Sequence, residues 1–288
     1  MARRSIFLGD RSMSTTYIDM LQTSASDAGS LLCVGIDPPQ YDSLVPLLLD
    51  VLAEAASRGV QVAAFKPNIG YFHALDRPRK GDFAGSILLA ETLDHLQQSF
   101  SHIPIILDSK RGDIARSSEN YATEAFTTWE VDAMTGSPWM GDDSVLPLAQ
   151  PDKGLYLVAR SSNPGARRFQ RPDEVVSAIL EWREHAPGMG MVLGATAPAE
   201  LRTMLATLVR AGSVGHMPIL IPGVGRQGGS AAEVMKILRE SGFPLPLVRI
   251  NLSSGILTPW GSADPGSDAA RREQMLNALL HAHQELAI

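Results

Sequence analysis

Four charged residues that follow two short apolar runs have the types and spacing for proton-transfer chemistry. Lys66 follows one run, and Asp108, Lys110 and Asp113 follow another. Asp108 and Lys110 are two residues apart and would point the same way in an extended strand. Lysine carries a compact ammonium that can give up a proton, whereas arginine stays protonated. An alternating Lys–Asp–Lys–Asp array would hold an ammonium charged and fixed against a substrate without a metal, although the same spacing also fits a structural ion-pair network.

A glycine-rich run, PGVGRQGG at 222–229, is the second candidate for chemistry. Glycines let backbone N–H groups approach an anion closely. The run does not follow the first strand of the chain, as the glycine fingerprint of dinucleotide-binding domains does. Because its glycines allow this close approach, the run predicts a phosphate site and not a dinucleotide site. A mobile turn is the alternative.

Eight apolar runs alternate with helix-like stretches from residue 31 onwards. The predicted strands are 31–36, 60–65, 103–107, 131–135, 154–159, 189–194, 217–221 and 247–251. The predicted helices are 43–58, 84–99, 116–128, 173–185, 198–211, 230–241 and 267–286, with a short one around 15–23. Continuously apolar strands are typical of parallel sheets buried on both faces.

This alternation predicts an α/β fold, a (β/α)8 TIM barrel in a single domain over 30–288, preceded by an N-terminal extension at 1–29. A doubly wound open sheet is the competing fold. In a barrel the chemistry lies at the C-terminal ends of the strands, and the loops after strands 7 and 8 often bind phosphate. Both candidate sites fall at such ends, since the lysines and aspartates follow strands 2 and 3 and the glycine run follows strand 7.

The composition fits a globular enzyme and excludes several classes of protein. Of 288 residues, 44% are hydrophobic and 19% are charged, with a net charge of −6 that gives no footprint for nucleic acid. No apolar stretch reaches the roughly 20 residues of a membrane helix. Cys33, the single cysteine, excludes a disulfide framework and a cysteine-cluster metal site. The N-terminus lacks the apolar core of a secretory signal, so we expect a cytoplasmic protein with neither nucleic acid nor membrane as a partner.

Seven motifs occur in an order that is more specific than any one of them. They are LCVGIDPP (32–39), FKPNIGYF (65–72), ILDSKRGDI (106–114), RSSNPGA (160–166), GATAP (194–198), IPGVGRQGG (221–229) and INLSSGIL (250–257). Together they resemble the motifs of the orotidine 5′-phosphate decarboxylases, and most closely those of the longer bacterial form (type 2, mycobacterial-like).

The resemblance implies a homodimeric barrel that converts orotidine 5′-monophosphate to uridine 5′-monophosphate and CO2, with no cofactor and no metal. It implies that Lys110 is the proton donor to C6 of the pyrimidine and that Asp108 stands near the carboxylate that leaves. Asp113 would come from the partner subunit and complete the charge array with Lys66.

The resemblance also implies which residues bind the nucleotide. Ribose would be contacted by Asp37 and Lys66, with Ile114 and Ser117 close by, and the pyrimidine edge by Ser162. The phosphate would be met by Gly223, Gly225 and Gln227.

The chain departs from the family pattern at several of these positions. Ser254 stands where the family usually has an arginine that grips the phosphate, and Arg226 stands where a small residue is common. We predict that Arg226 supplies the missing phosphate contact from the neighbouring loop. Ala115 and Arg116 replace a usual Gly-Ser pair, and Ser117 replaces a threonine and keeps its hydroxyl.

Three alternatives stay open at this point. A decarboxylase of 3-keto-L-gulonate 6-phosphate shares the D-x-K-x-x-D pattern but needs Mg2+, and the surrounding motifs argue against it. A paralogue acting on a modified orotidine derivative and a non-catalytic nucleotide-binding homologue both draw support from Ser254.

Overall fold

The computed structural model describes residues 16–38, 44–212 and 214–288. Residues 1–15 of the predicted N-terminal extension lie outside these ranges, and so does the first residue of the predicted helix 43–58. The strands are β1 Leu32–Ile36, β2 Ala64–Pro67, β3 Ile106–Arg111, β4 Ala133–Gly136, β5 Gly154–Arg160, β6 Met189–Leu193, β7 Ile219–Ile221 and β8 Val248–Leu252.

The longer α-helices are α1 Tyr17–Ala28, α2 Leu44–Ser57, α4 Ala84–Ser99, α5 Ala115–Thr123, α7 Pro172–Trp182, α8 Pro198–Arg210, α9 Ala231–Ser241 and α11 Asp268–Glu285. Three short helices, α3 Ile69–His73, α6 Asp142–Val145 and α10 Ser254–Leu257, follow β2, β4 and β8. A π-helical turn, Glu124–Thr128, continues α5. Short 3-10 turns span Pro78–Lys80, Leu146–Leu148, Pro164–Arg168, Val214–His216 and Leu245–Leu247.

The described strands form one parallel sheet that closes into a barrel, which confirms the predicted fold over the open sheet. The strand order is β2-β1-β8-β7-β6-β5-β4-β3. Parallel bridges from Phe65 to Ile105 and from Asn68 to Asp108 join the two end strands. Each predicted strand is present, but β2 and β3 begin later than predicted, at Ala64 and Ile106. Pro104 has no N–H for the ladder. Before β2, Ala63 already donates its N–H to the Leu32 carbonyl of β1 at 2.8 Å, so backbone pairing begins just ahead of the regular strand.

Two apolar layers surround the strands. The larger one lies between the strands and the outer helices. The smaller one fills the inside of the barrel with Tyr17, Leu21, Cys33, Ala64, Ile106, Ala133, Tyr156, Val158, Val192 and Leu220. The barrel is therefore a packed core, and its open positions are confined to the C-terminal ends of the strands.

Helix α1 belongs to the barrel and closes its N-terminal end. The helix starts at a capping box made by Thr16 and Asp19, and the Tyr17 hydroxyl lies 2.9 Å from that of Tyr156 inside the barrel. The fully buried Arg249 of β8 donates to the Leu21 carbonyl at 2.6 Å and to the Ser24 hydroxyl at 2.8 Å. Since a buried cation is costly unless its donors are satisfied, α1 is tied to the barrel by polar as well as apolar contacts.

Helix α5, which follows the charged end of β3, begins in a strained conformation. Ala115 has a φ of +43°, in the left-handed region that favours glycine, and this is the position at which the resemblance predicts a glycine. A non-glycine residue there costs about 1 to 2 kcal/mol.

We expect the Ala115→Gly variant to have a free energy of unfolding higher by about 0.5 to 1 kcal/mol, because relief of this strain exceeds the entropy lost by glycine. The matched control is Ala53→Gly on the exposed face of α2, which should cost about 1 kcal/mol. Urea denaturation of both variants measures the difference. Equal losses in the two variants would contradict the assignment of strain to Ala115.

Candidate active site

Three of the four charged residues that the sequence singles out meet at the ends of β2 and β3. The Lys66 Nζ lies 2.6 Å from Asp108 Oδ2, and the Lys110 Nζ lies 2.5 Å from Asp108 Oδ1. Asp108 thus divides its two oxygens between two ammonium groups. Lys66 is 3% exposed, whereas the Lys110 side chain is 52% exposed at the mouth of the barrel. The arrangement presents one ammonium to whatever occupies the mouth and keeps the other as a buried support.

The ion pairs hold Asp108 and Lys66 in their charged forms near neutral pH. Burial alone would raise the pKa of Asp108, but the ammonium groups of Lys66 and Lys110 outweigh it and hold that pKa well below its usual range. Burial alone would lower the pKa of Lys66, but the carboxylates of Asp108 and Asp37 outweigh it and place that pKa above its usual value. The influence of Asp37 on Lys66 also shows that the end of β1 borders the array.

Lys110 reaches Asp108 through an irregular strand, not through the regular alternation that its spacing suggests. The register between β3 and β4 shifts between Leu107 and Arg111. Lys110 itself has a φ of +46°, outside the range of a strand. The side chains of Asp108 and Lys110 do meet, as their spacing predicts. The predicted reason, a regular strand, is wrong.

Asp113, Ile114 and Ser117 lie on the chain that leaves β3, beyond the residues that form the array. Asp113 Oδ1 accepts the N–H of Ile114 at 2.7 Å, and within the described residues Asp113 forms no ion pair with Lys66 or Lys110. Ile114 is 57% exposed. A single chain therefore assembles three of the four predicted members of the array.

A polar cleft of about 250 Å³ opens at the ends of β1, β7 and β8. Its described lining contains none of Lys66, Asp108 and Lys110, but it reaches the end of β1, the strand that pairs with β2 at Lys66. Its lining includes Asp37, Tyr71, Pro222, Gly223, Val224, Arg226, Gln227, Asn251, Ser253, Ser254, Gly255, Leu257 and Thr258. Asp37 Oδ1 and Ser253 Oγ are buried in the structure without a hydrogen-bond partner. Buried polar atoms are normally paired, so these two orphans indicate that the cleft is built for a polar ligand.

Two glycines let loops close around this cleft. A Cβ at Gly35 would stand 2.6 Å from the Cβ of Ser253, so glycine on β1 lets the loop after β8 approach. Gly223 has a φ of +96°, and a Cβ there would stand 2.7 Å from the Cβ of Ser162. The Ser162 hydroxyl in turn donates to Gln227 Oε1. The predicted pyrimidine-binding and phosphate-binding residues are thereby brought into one wall.

The glycine loop is partly satisfied by its own backbone. Gly225 donates its N–H to the Gly229 carbonyl at 2.9 Å, and Gly229 donates to the Gly223 carbonyl at 3.0 Å. The amide of Gly225 is therefore engaged within the loop, and its contact with a phosphate stays a prediction.

Arg226 faces the same cleft from β7's loop. Its Nη2 donates to the Thr258 carbonyl, on the segment that follows β8, and both Arg226 and Ser254 line the cleft. The guanidinium therefore bridges the two loops between which the resemblance places a phosphate.

Several residues of the site were missed in the sequence. Tyr71 and Thr258 line the cleft from short helical segments that periodicity did not reveal. Thr135 on β4 donates its hydroxyl proton to Asp108 Oδ1 at 2.9 Å. Its signal was available, because it is the polar residue at the C-terminal end of a predicted strand.

Other reactive groups lie outside this chemistry. Burial raises the pKa of the Cys33 thiol to about 12, so it stays protonated inside the barrel. Among residues 16–38, 44–212 and 214–288, no three His, Cys, Asp or Glu side chains are grouped so that they could hold a metal ion. Within the same ranges no helix has the length and apolarity to cross a membrane.

Known proteins are similar to this chain in sequence and in fold. A family model described as orotidine 5′-phosphate decarboxylase / HUMPS family matches residues 30–241. The orotidine 5′-phosphate decarboxylase of Paracidovorax citrulli is 37% identical over 279 residues, which cover 90% of this chain and 94% of that protein. The structure of Leishmania donovani OMP decarboxylase aligns with a TM-score of 0.68 and 27% identity, covering 93% of this chain and 99% of the other. That of Leishmania donovani UMP synthase aligns with a TM-score of 0.69 and 30% identity, covering 93% and 57%.

The Asp108→Asn variant tests the electrostatic design of the array. It leaves the ammonium of Lys66 buried without its carboxylate partner, so we expect the free energy of unfolding at pH 7 to fall by about 3 to 5 kcal/mol. The pKa of Asp108 is lower in the folded than in the unfolded chain. Its stabilising contribution is therefore complete above about pH 4, the unfolded value, and is lost as the pH falls towards the folded value.

Urea denaturation between pH 3 and pH 8 measures this effect. The difference in the free energy of unfolding between the parent chain and Asp108→Asn should be constant from about pH 5 upwards and should narrow below about pH 4. Asp50→Asn, on the exposed face of α2, is the control and should change stability by less than about 0.5 kcal/mol. A difference that widens on acidification would show that the array is not the source.

Proposed function

The chain belongs to the orotidine 5′-phosphate decarboxylase / HUMPS family, and on that basis we propose how its own residues carry out the reaction. It is a carboxy-lyase that converts orotidine 5′-monophosphate to uridine 5′-monophosphate and CO2 in pyrimidine biosynthesis. The observation that carries the mechanism is the Lys66–Asp108–Lys110 chain of ion pairs beside a polar cleft. The type 2 subtype remains a prediction from the motifs.

Lys110 acts at the carbon that loses the carboxylate. When the bond between C6 and the carboxyl carbon breaks, CO2 leaves and the electron pair stays on C6, where no adjacent carbonyl takes it up. A fixed ammonium next to C6 stabilises this charge as it develops. Lys110 then transfers a proton from Nζ to C6 and regains one from solvent. Its place at the mouth, with half of its side chain exposed, supports this role.

Asp108 and Lys66 prepare Lys110 for this step. Asp108 aims the Lys110 ammonium through the 2.5 Å contact. As the resemblance implies, the carboxylate of the substrate lies near Asp108. Lys66 pairs with the second oxygen of Asp108, so Asp108 repels an anionic substrate less strongly. Asp37, with its orphaned buried oxygen, accepts a ribose hydroxyl.

The phosphate lies between the loops after β7 and β8. Arg226 supplies the charge that the family's usual arginine would provide at position 254, with Gly223, Gly225 and Gln227 beside it. The support is that Arg226 and Ser254 line one cleft and that the guanidinium already reaches across it to Thr258. Since the phosphate is remote from the bond that breaks, its binding energy serves to orient the ring and to close the loops. Ser162 contacts the pyrimidine edge.

A second copy of this chain completes the array with Asp113, and Ile114 and Ser117 border the partner's ribose. Two observations support a homodimer. Asp113 does not reach the array of its own described chain, and an exposed apolar surface of Ile114 (57%), Trp139 (42%) and Met140 (58%) lies on the adjacent loops after β3 and β4. Exposed apolar surface of this kind marks an interaction site. We also propose a cytoplasmic location, since a phosphorylated substrate does not cross a membrane unaided.

The Lys110→Ala variant should lower kcat for orotidine 5′-monophosphate by at least about a thousandfold, because it removes both the electrostatic stabilisation and the proton donor. An absorbance assay of pyrimidine decarboxylation measures this, and a thermal melt checks the fold. Lys236→Ala, on an exposed face of α9, should leave the rate unchanged. A near-normal rate for Lys110→Ala would refute the mechanism.

The Arg226→Ala variant should raise the KM for orotidine 5′-monophosphate about 10- to 100-fold, because a charge-assisted contact with the phosphate is lost. The rate with unphosphorylated orotidine should not change. Adding Ser254→Arg to this variant should recover part of the affinity from the neighbouring loop. An unchanged KM in Arg226→Ala would remove the compensation by Arg226.

A further inference from the structure

Thr135 is a buried residue of β4 whose hydroxyl is fully used beside the array. It is 1% exposed. Its Oγ1 donates to Asp108 Oδ1 at 2.9 Å and accepts the backbone N–H groups of Ser109 at 3.0 Å and of Lys110 at 2.8 Å. A hydroxyl has one proton to donate and two lone pairs that accept. All three capacities are therefore directed at the segment that carries the array.

The two accepted N–H groups belong to the irregular part of β3. There the register with β4 shifts, and Lys110 adopts a φ of +46°. A residue with a side chain pays about 1 to 2 kcal/mol for this conformation. The Thr135 hydroxyl takes over the role of the missing ladder acceptor for Ser109 and Lys110, and the Ser109 hydroxyl donates back to the Thr135 carbonyl at 3.0 Å. These bonds hold the bend that turns the Lys110 side chain onto Asp108.

The proton that Thr135 donates goes to the carboxylate of Asp108, the partner of the Lys110 ammonium. Asp108 Oδ1 receives both the Lys110 Nζ at 2.5 Å and the Thr135 hydroxyl at 2.9 Å, while Oδ2 receives the Lys66 Nζ at 2.6 Å. The hydroxyl thus helps to fix the orientation of the carboxylate, so that one oxygen faces each lysine. A rotated carboxylate would move the Lys110 ammonium with it.

We propose that Thr135 is a positioning residue for the decarboxylation. It sets the position of the Lys110 ammonium through two contacts, one on the backbone of Lys110 and one on the carboxylate that holds its Nζ. It acts on the chemical step and not on binding, because it is buried and its hydroxyl is engaged by Asp108 and by the backbone of Ser109 and Lys110. This inference rests on the proposed role of Lys110.

The Thr135→Val variant keeps the shape of the side chain and removes the hydroxyl. We expect kcat to fall about 10- to 100-fold, since small misplacements of a catalytic group have effects of this size. The KM for orotidine 5′-monophosphate and the inhibition constant of uridine 5′-monophosphate should stay within about twofold of the parent values. Thr135→Ser, which restores the hydroxyl, should recover kcat to within about threefold.

The matched control is Thr92→Val in α4. Thr92 is also 1% exposed, and its hydroxyl bonds only to the Leu88 carbonyl of its own helix, at 2.6 Å. It should leave kcat unchanged, which separates the loss of this hydroxyl from the loss of any buried one. Thr135→Ala is the second test variant in case valine is not tolerated, and it should resemble Thr135→Val in kcat.

Three results would overturn the proposal: a folded Thr135→Val with the parent kcat, a Thr135→Ser as impaired as Thr135→Val, or failure of both the Val and Ala variants to fold, which would make the hydroxyl structural. The Lys110→Ala variant, assayed alongside, separates the two hypotheses. If it is active, the role of Lys110 fails. If it is inactive while Thr135→Val is normal, only the inference on Thr135 fails. The double variant Lys110→Ala/Thr135→Val should be no slower than Lys110→Ala alone.

Discussion

One carboxylate shared between two ammonium groups is the interaction on which the site depends. Asp108 is almost fully buried, and each of its oxygens meets one lysine at 2.5 to 2.6 Å. Without Asp108, the ammonium groups of Lys66 and Lys110 would repel each other at the end of the barrel. Among the described residues, the buried Lys66 would then have only the more distant carboxylate of Asp37 as a counter-charge. With Asp108 in place, the three groups together carry one net positive charge, and its position is fixed. A reaction that places electrons on a ring carbon needs such a charge in place before the bond breaks, since reorganising solvent or side chains during the reaction adds to the barrier.

Much of this could be predicted from the sequence because a parallel barrel translates order along the chain into position in space. The eight continuous apolar runs fixed the strand number, and the polar residues that followed them fell at one end of the barrel. Lys66, Asp108, Asp37 and Arg226 were identified in this way. The strand boundaries were predicted less accurately, since an apolar run extends beyond the regular strand, as it does before β2 and β3.

The remainder depends on departures from regular structure that periodicity cannot reveal. The bend at Lys110 rests on a positive φ and a register shift, and neither leaves a mark such as a glycine in the sequence. Thr135 was passed over because a threonine at a strand end is ordinary by type, and only its three partners distinguish it. Tyr71 lies in a five-residue helix and Thr258 directly follows a four-residue one, and such helices are too short to show a repeat of the 3.6-residue apolar pattern. Asp113 forms no ion pair with Lys66 or Lys110 within the described residues, and its proposed place in a partner's array would be a contact between chains, which the apolar periodicity of one chain does not reveal.

The packed base of the barrel has a consequence for how the gaseous product leaves. Helix α1 covers the N-terminal end of the strands, the paired hydroxyls of Tyr17 and Tyr156 lie within the interior, and Arg249 is bound to the carbonyl of Leu21. Among the described residues, packed side chains thus fill the central axis of the barrel behind the array. CO2 must escape towards the same opening through which the nucleotide enters, so any loop that seals this opening during the reaction also governs the departure of the gas.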